Sequence, residues 1–159
     1  MSRKSISKKR STDKDPVYGN FLVAKLVNRV MKSGKKSLAR KHVYGAFETI
    51  KEKLKTDPVT VFEKVIANIK PRVEVRSRRV GGAAYQVPTL VRTARQDSLS
   101  IRWLVAAARK RANKEYHTFT EKLAAELIDA YQEKGGAFEK KIEVEKIAAA
   151  NKAFSHLKW

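Results

Sequence analysis

The hydrophobic period of this chain changes in one segment, residues 72–88, and that change limits the folds open to it. On both sides of the segment, apolar residues recur at helical spacing. Within it, two short β-prone runs flank Gly81-Gly82, a pair typical of a two-residue hairpin turn. If both glycines occupy the turn, the facing pairs are Val80 with Ala83, Arg78 with Tyr85 and Arg76 with Val87. The sequence therefore predicts one β-hairpin in an otherwise helical chain.

Three helices are predicted before the hairpin. Asp15-Pro16 supplies an N-cap and a first helical residue, so it opens a first helix that Gly34 stops. A second helix is expected over residues 36–55. Asp57-Pro58 repeats the start signal for a third helix, which Lys70-Pro71 ends.

Two of the helices after the hairpin have clear signals. A strongly apolar stretch over 99–108, after the connecting residues 93–98, predicts a fourth helix buried at the centre of the bundle. Thr118 and Glu121 have the spacing of a capping box and predict the start of a fifth helix, which stops at Gly135-Gly136.

A sixth, more polar helix is expected over 137–155. Its predicted apolar anchors are Phe138, Ile142 and Phe154. The expected fold is mainly α: a six-helix, bundle-like single domain over 1–159, with one projecting β-hairpin arm over 72–88. Residues 1–14 carry six cations and one acid, so we expect a disordered basic N-terminal extension there.

The net charge of the chain indicates the kind of partner that it binds. The 159 residues include 36 Lys and Arg against 16 Asp and Glu, a formal net charge of +20. So large an excess repels itself in a compact fold, and it usually persists because a polyanion neutralises it. An anionic membrane fits less well, because no run approaches the roughly 18 apolar residues of a spanning helix. No apolar signal segment follows Met1, so we expect the protein to stay in the cell or organelle that makes it.

The candidate nucleic-acid contacts are cations in three regions. The basic extension is either a solvated tail or an arm that orders on nucleic acid, and the hairpin is either a solvated ribbon or an arm that holds phosphates. Arg109 and Arg111 suit the end of the fourth helix and could also reach phosphate. Tyr85, opposite the hairpin arginines, could stack on a base or ribose.

No motif in the sequence supports catalysis or a bound cofactor. The absence of cysteine excludes disulfides, zinc ribbons and thiol nucleophiles. His42, His117 and His156 lie far apart without metal-ligand spacing, and no phosphate-binding glycine loop or nucleophile elbow occurs. The acids Glu126, Glu143 and Glu145 are expected to form i,i+4 pairs with lysines. We therefore expect no catalytic residues, no metal, no cofactor and no small-molecule substrate. A nucleoid-type DNA-binding protein is the alternative, followed by a hydrolase with an unrecognised site.

Four separated blocks of the sequence closely resemble one family, that of the seventh protein of the small ribosomal subunit, in its bacterial type. The blocks are Asp15 to Tyr18 with Lys25 to Asn28 and Gly34 to Lys36; Val73 to Ala83 with Tyr85 to Pro88; Arg102 to Leu104 with Ala107 to Arg109; and Ala150 to Phe154. They occur in the family's order and cover essentially the whole chain.

The resemblance implies a structural constituent of the small subunit that binds 16S rRNA at its 3′ major domain and nucleates assembly of the subunit head. It also implies a position at the subunit interface near the exit-site tRNA and the mRNA path, beside small-subunit proteins nine and eleven. The ribosome would be cytoplasmic or organellar. Carried over by position, rRNA contacts fall on Arg3, Lys4, Lys8, Lys9, Arg10, Lys35, Lys36, Arg76, Arg78 and Arg79. The side facing tRNA and mRNA falls on Val80, Gly81, Gly82, Ala83, Tyr85 and Lys152.

Overall fold

The computed structural model describes residues 13–157, so the basic extension over 1–14 lies almost entirely outside the described residues. The described part is mainly α-helical, as predicted, with one antiparallel hairpin. Its elements are α1 (Phe21–Val30), α2 (Lys36–Leu54), α3 (Pro58–Ile69), β1 (Val73–Val80), β2 (Ala83–Leu90), α4 (Thr93–Lys110), α5 (Phe119–Tyr131), α6 (Gly136–Ala150) and a 3₁₀ helix (Lys152–Leu157). One hydrophobic core takes residues from all six α-helices.

The prediction for the start of the first helix was wrong. Asp15 caps a turn, accepting hydrogen bonds from the backbone N–H groups of Val17 and Tyr18, and α1 begins only at Phe21. The N-cap is Asn20, whose side chain accepts from the N–H of Leu22 at 2.7 Å. The helix also ends at Val30, before the predicted stop at Gly34, because a separate loop joins α1 to α2.

The second and third helices were predicted correctly. Asp57 is the N-cap of α3 and accepts from the N–H of Thr60, with Pro58 as the first helical residue. Phe47 of α2 and Phe62 of α3 are fully buried, and their rings lie 5.7 Å apart. These two helices therefore form much of the core's aromatic centre.

The hairpin has the predicted register: Val80 pairs with Ala83, Arg78 with Tyr85 and Arg76 with Val87. Both turn glycines adopt positive φ, 57° at Gly81 and 88° at Gly82, as a tight two-residue turn requires. The second strand runs two residues beyond Pro88, to Leu90. The base of the hairpin leans on α6, and β2 also packs against the 3₁₀ helix, which gives a two-stranded ribbon the support it needs.

Two expectations for the fourth helix were wrong. It begins at Thr93, so the presumed connector over 93–98 is its first turns. It also keeps one face in solvent, since Arg102 is exposed while Leu104 and Val105 are buried. The helix with buried residues on most of its length is α5, which packs against α2, α3 and α4.

The fifth helix starts with the predicted capping box but ends at Tyr131, before Gly135-Gly136, and Gly136 already belongs to α6. The sixth helix ends at Ala150, and a 3₁₀ helix continues the chain. Ile142 is 49% exposed and is no anchor. The buried residues of α6 are the small ones, Ala137 and Ala148, because its backbone lies close against the bundle.

Candidate nucleic-acid interface

Of the predicted RNA-binding cations, five lie outside the described residues: Arg3, Lys4, Lys8, Lys9 and Arg10. The others can be placed on the fold. Most belong to two surfaces, one at the α1–α2 loop and one along the hairpin.

The α1–α2 loop is a tight turn that presents lysines. The N–H of Lys35 donates to the carbonyl of Lys32 at 3.0 Å, and the two residues between them, Ser33 and Gly34, have φ values of 51° and 73°. Positive φ at a non-glycine residue such as Ser33 is uncommon. Lys32, Lys35 and Lys36 are all exposed. No side chain caps the start of α2, and its first turn has no acid, so the partial positive charge of the helix end adds to that of the lysines.

A groove of about 320 Å³ lies beside this loop. Its cationic lining comes from Lys32 and Lys35 of the loop and Arg109 near the end of α4. Leu38, which is 48% exposed, and Phe119 give it an apolar wall. Within residues 13–157, no acidic side chain lines it. A groove with an apolar wall and cations around it suits an unstacked nucleotide, which is both aromatic and anionic.

Hydrogen bonds and ring contacts hold the groove's side chains in place. Arg109 Nη2 donates to the carbonyl of Val30 at 3.1 Å, which joins the end of α1 to α4. His42 Nδ1 lies 2.9 Å from Thr120 Oγ1, and the His42 ring meets that of Phe119 edge-on at 5.8 Å. His42 is therefore a packing residue of the groove wall.

The second surface begins at the base of the hairpin with three charged side chains. Glu74 in β1 is only 8% exposed. Its Oε1 accepts from Arg76 Nε at 2.8 Å and Nη2 at 2.5 Å, and its Oε2 accepts from Arg95 Nε at 2.7 Å. Burial raises the pKa of Glu74, but the hydrogen bonds from Arg95 and Arg76 outweigh it, so this pKa lies below its ordinary value. The carboxylate is therefore ionised at neutral pH.

Toward its tip the hairpin is largely exposed, and Tyr85 of β2 is its supported residue. Arg79, Gly81, Gly82 and Ala83 are exposed. Tyr85 is half-buried, because its ring packs against Phe154 of the 3₁₀ helix with 5.3 Å between the centroids. Part of this ring is therefore covered by the protein itself. The 3₁₀ helix, whose first residue Lys152 is exposed, packs against β2.

The structure gives Arg111 an internal role. Its guanidinium binds Glu126 at 2.7 Å and also Asp129, and its side chain is only 17% exposed. Burial lowers the pKa of Arg111, but hydrogen bonds to Asp129 and Glu126 outweigh it and raise the pKa above the ordinary value. Since two carboxylates occupy it, we do not count Arg111 among the cations available to RNA.

Of the three acids, one pairs with a lysine, and it does so at i,i+3 spacing and not at the predicted i,i+4. Glu143 pairs with Lys140 at 2.7 Å. Glu145 instead accepts from the backbone N–H of Arg72, and Glu126 is buried against Arg111. Glu126 and Glu145 therefore bind residues outside their own helices.

Reasoning from sequence missed Arg95, Glu74 and the groove. One signal for Glu74 was present: residues two apart on a strand share a face, so Glu74 and Arg76 had to lie side by side. Arg95 carries no such local signal, since it reaches Glu74 from another element.

The described residues contain neither a cluster of metal ligands nor a helix that could span a membrane. Between residues 13 and 157, no three histidine or carboxylate side chains gather as ligands for a metal ion. Over the same range, no helix is both long and apolar enough to cross a membrane.

Residues 2–152 match the family described as ribosomal protein S7p/S5e. Similar curated proteins carry the name small ribosomal subunit protein uS7. That of Afipia carboxidovorans is 50% identical over 159 residues, and that of a Bradyrhizobium species is 52% identical, each covering 100% of both chains. The protein of Helicobacter hepaticus is 55% identical over 145 residues, which is 91% of this chain and 92% of its own.

Proposed function

Since the chain belongs to the ribosomal protein S7p/S5e family, we propose that it binds the 3′ major domain of 16S rRNA directly and nucleates assembly of the head of the small ribosomal subunit. Membership itself makes the chain a structural protein of the small subunit, associated with rRNA, and not an enzyme. The domain of the rRNA and the order of assembly are the parts proposed here.

The observation that carries the proposal is the acid-free cationic groove at the α1–α2 loop. Lys32, Lys35 and Arg109 reach one groove from the loop and from α4, and Leu38 offers an apolar contact between them. Phosphates would pair with the cations, while a base lies on the apolar wall. Because a loop or bulge of folded RNA presents such unstacked bases and a regular duplex does not, the groove favours folded RNA over duplex DNA.

The hairpin supplies a second attachment at a distance from the groove. Arg76 and Arg79 are exposed along β1, and the strand pairing fixes their spacing. Arg78 lies between them and shares the face of Arg76. Two separate surfaces on a rigid fold would recognise the shape of an RNA, because both must find phosphates at once. In this proposal, the cations of the 1–14 extension add affinity for the same RNA.

We further propose that the hairpin tip faces the exit-site tRNA and the mRNA path. The supporting feature is exposure: Gly81, Gly82 and Ala83 are exposed and Val80 is half-buried, while the 3₁₀ helix that packs against β2 carries the exposed cation Lys152. In this proposal, small-subunit proteins nine and eleven are the neighbours that contact the exposed face of α6. On α6, Ile142 and Ile147 are 49% and 44% exposed, which is apolar surface that a protein neighbour would cover.

The test is binding to two RNA fragments of similar length, the 3′ major domain and the 5′ domain of 16S rRNA. Both are polyanions of equal charge density, so simple charge neutralisation binds them equally. We expect the full chain to prefer the 3′ major domain at least tenfold near physiological ionic strength, and to protect one contiguous region of it from chemical probing. Equal affinity for the two fragments would refute the proposed site.

A further inference from the structure

Two arginines at the hairpin base come from different elements and share one buried carboxylate. Arg76 lies in β1 and Arg95 in the first turn of α4. Each donates to its own oxygen of Glu74, at distances of 2.5 to 2.8 Å. The two guanidinium groups therefore lie within a few ångströms of each other, on either side of one carboxylate.

This arrangement has more cations than an internal ion pair needs. One arginine would neutralise Glu74, and the second leaves the group with a net charge of +1. The carboxylate is the buried member, with a side chain 10% exposed, whereas the side chains of Arg76 and Arg95 are 53% and 48% exposed. The excess positive charge is thus on the solvent side.

Both arginines keep hydrogen-bond donors in reserve. Arg76 gives Nε and Nη2 to Glu74, so its Nη1 faces away from the carboxylate, and Arg95 gives only Nε. In residues 13–157, no other protein group accepts from either side chain. The planar guanidinium fork matches the spacing of phosphate oxygens.

We propose that Arg76 and Arg95 form a single phosphate-binding site for the RNA backbone, and that Glu74 is the positioning residue that organises it. Without the carboxylate, the two like charges repel each other and both long side chains rotate freely. With Glu74 present, the repulsion between the two arginines is offset. Their side chains lose their conformational entropy when the protein folds, so that cost no longer falls on RNA binding. This inference rests on the proposed function, since the phosphate belongs to the bound RNA.

The proposal makes an unusual demand of Glu74. Removing an acid from an RNA-binding protein ordinarily strengthens its attraction to a polyanion. If Glu74 positions the arginines, E74Q must weaken RNA binding although it makes the protein more positive. If only net charge mattered, E74Q would raise the affinity for RNA. If Glu74 positions the two arginines, E74Q lowers that affinity.

The test compares the affinity of E74Q and the full-length wild-type chain for the 3′ major domain fragment at one fixed ionic strength. The matched control is E52Q, which removes an exposed carboxylate from α2. We expect E74Q to bind on the order of tenfold more weakly and E52Q to bind as well as wild type or slightly better. E74Q binding as tightly as E52Q would overturn the inference.

A second set of variants separates positioning from folding. In the R76A/R95A background there is nothing left to position, so adding E74Q must leave the remaining affinity unchanged. If E74Q costs the same factor in both backgrounds, Glu74 acts through the fold and the inference is wrong. Should E74Q prove too unstable to measure, R95K serves instead: it keeps the charge but loses the fork, and we expect a loss of several-fold. Wild-type affinity for R95K would also overturn the inference.

The wild-type and E52Q titrations show which idea has failed. If both prefer the 3′ major domain while E74Q and R95K are unaffected, only the two-arginine site is refuted. If wild type itself shows no preference between fragments, the proposed function fails first.

Discussion

Glu126 Oε1 accepts a hydrogen bond from the backbone N–H of Ala137 at 2.9 Å, deep inside the protein. The other oxygen of this carboxylate binds the guanidinium of Arg111, the residue that ends α4. Because Glu126 lies in α5 and Ala137 in the first turn of α6, one carboxylate joins three helices. A negative charge at the start of α6 also suits the positive end of that helix.

Replacing this carboxylate should destabilise the fold. Glu126 is 1% exposed, and E126Q leaves Arg111 with Asp129 as its single acidic partner. We expect the free energy of unfolding to fall by about 2 kcal/mol, since the buried hydrogen bond from Arg111 loses its charged acceptor. Chemical denaturation measures the change. E143Q is the control, because Glu143 forms an exposed pair with Lys140 and little change is expected. Equal stability of the two variants would contradict this role for Glu126.

The turn before α6 should tolerate no side chain at its first glycine. Gly135 has a φ of 87°, and a Cβ there would lie 3.1 Å from both Glu126 Oε1 and Asp129 Cβ. We expect G135A to lower the free energy of unfolding by at least about 1 kcal/mol. G136A is the matched control: its Cβ would meet Ala107 Cβ at an ordinary 3.4 Å inside a helix. A thermal melt in which both variants behave alike would show that the turn is not constrained.

Tyr44 should make stability depend on alkaline pH. Its hydroxyl donates to Asp15 Oδ1 at 2.9 Å, and burial first, then this hydrogen bond, raises the pKa of Tyr44 to about 12. We expect Y44F to be about 1 kcal/mol less stable than wild type at neutral pH. A raised pKa in the folded state gives stability that is complete below the unfolded pKa of about 10 and is lost as the pH rises toward 12. The difference between the two proteins should therefore shrink above pH 10.

Chemical denaturation of wild type and Y44F at pH 7, 9 and above 10 checks this. The lysines titrate in both proteins, so their effect cancels in the difference between the two free energies of unfolding. A gap that stays constant or widens with rising pH would contradict the assignment to Tyr44.

The α1–α2 loop should account for a definite part of the salt dependence of RNA binding. The double substitution K32Q/K35Q removes two lysine–phosphate contacts. It should therefore make the slope of log K against log salt less steep by about 1.5. K51Q/K53Q removes the same charge from exposed positions at the other end of α2 and should leave the slope nearly unchanged. Equal slopes for the two double variants would mean that RNA binding depends on the total charge and not on where the lysines lie, which would contradict a site at the α1–α2 loop.

Local signals predicted most of the fold, and the failures share a cause. Asp15-Pro16 and Asp57-Pro58 are chemically alike, yet only the second starts a helix. Asp15 is instead bound by Tyr44, a residue 29 positions away, and Asn20 provides a later cap. Nothing within the Asp-Pro pair itself distinguishes the two cases, because tertiary contacts decide them.

The candidate site also has features that local sequence predicts and features that depend on tertiary contacts. The hairpin register and the exposure of Lys35, Lys36 and Arg76 follow from alternation and turn chemistry, which are local. The contact of Arg95 with Glu74 depends on how α4 leaves the hairpin. Arg111 has the sequence context of a helix-end cation but lies against Glu126 and Asp129, because α4 and α5 pack together.

The most direct measurement is a competition between folded RNA and duplex DNA for the full-length chain. Labelled 3′ major domain fragment is bound first, and unlabelled duplex of equal phosphate content is added over a range of salt concentrations. If folded rRNA neutralises the chain's charge of +20, the RNA stays bound in excess duplex, and its affinity falls steeply with salt, by several powers of ten per decade. Displacement by an equal amount of duplex, or affinity that does not respond to salt, would contradict it.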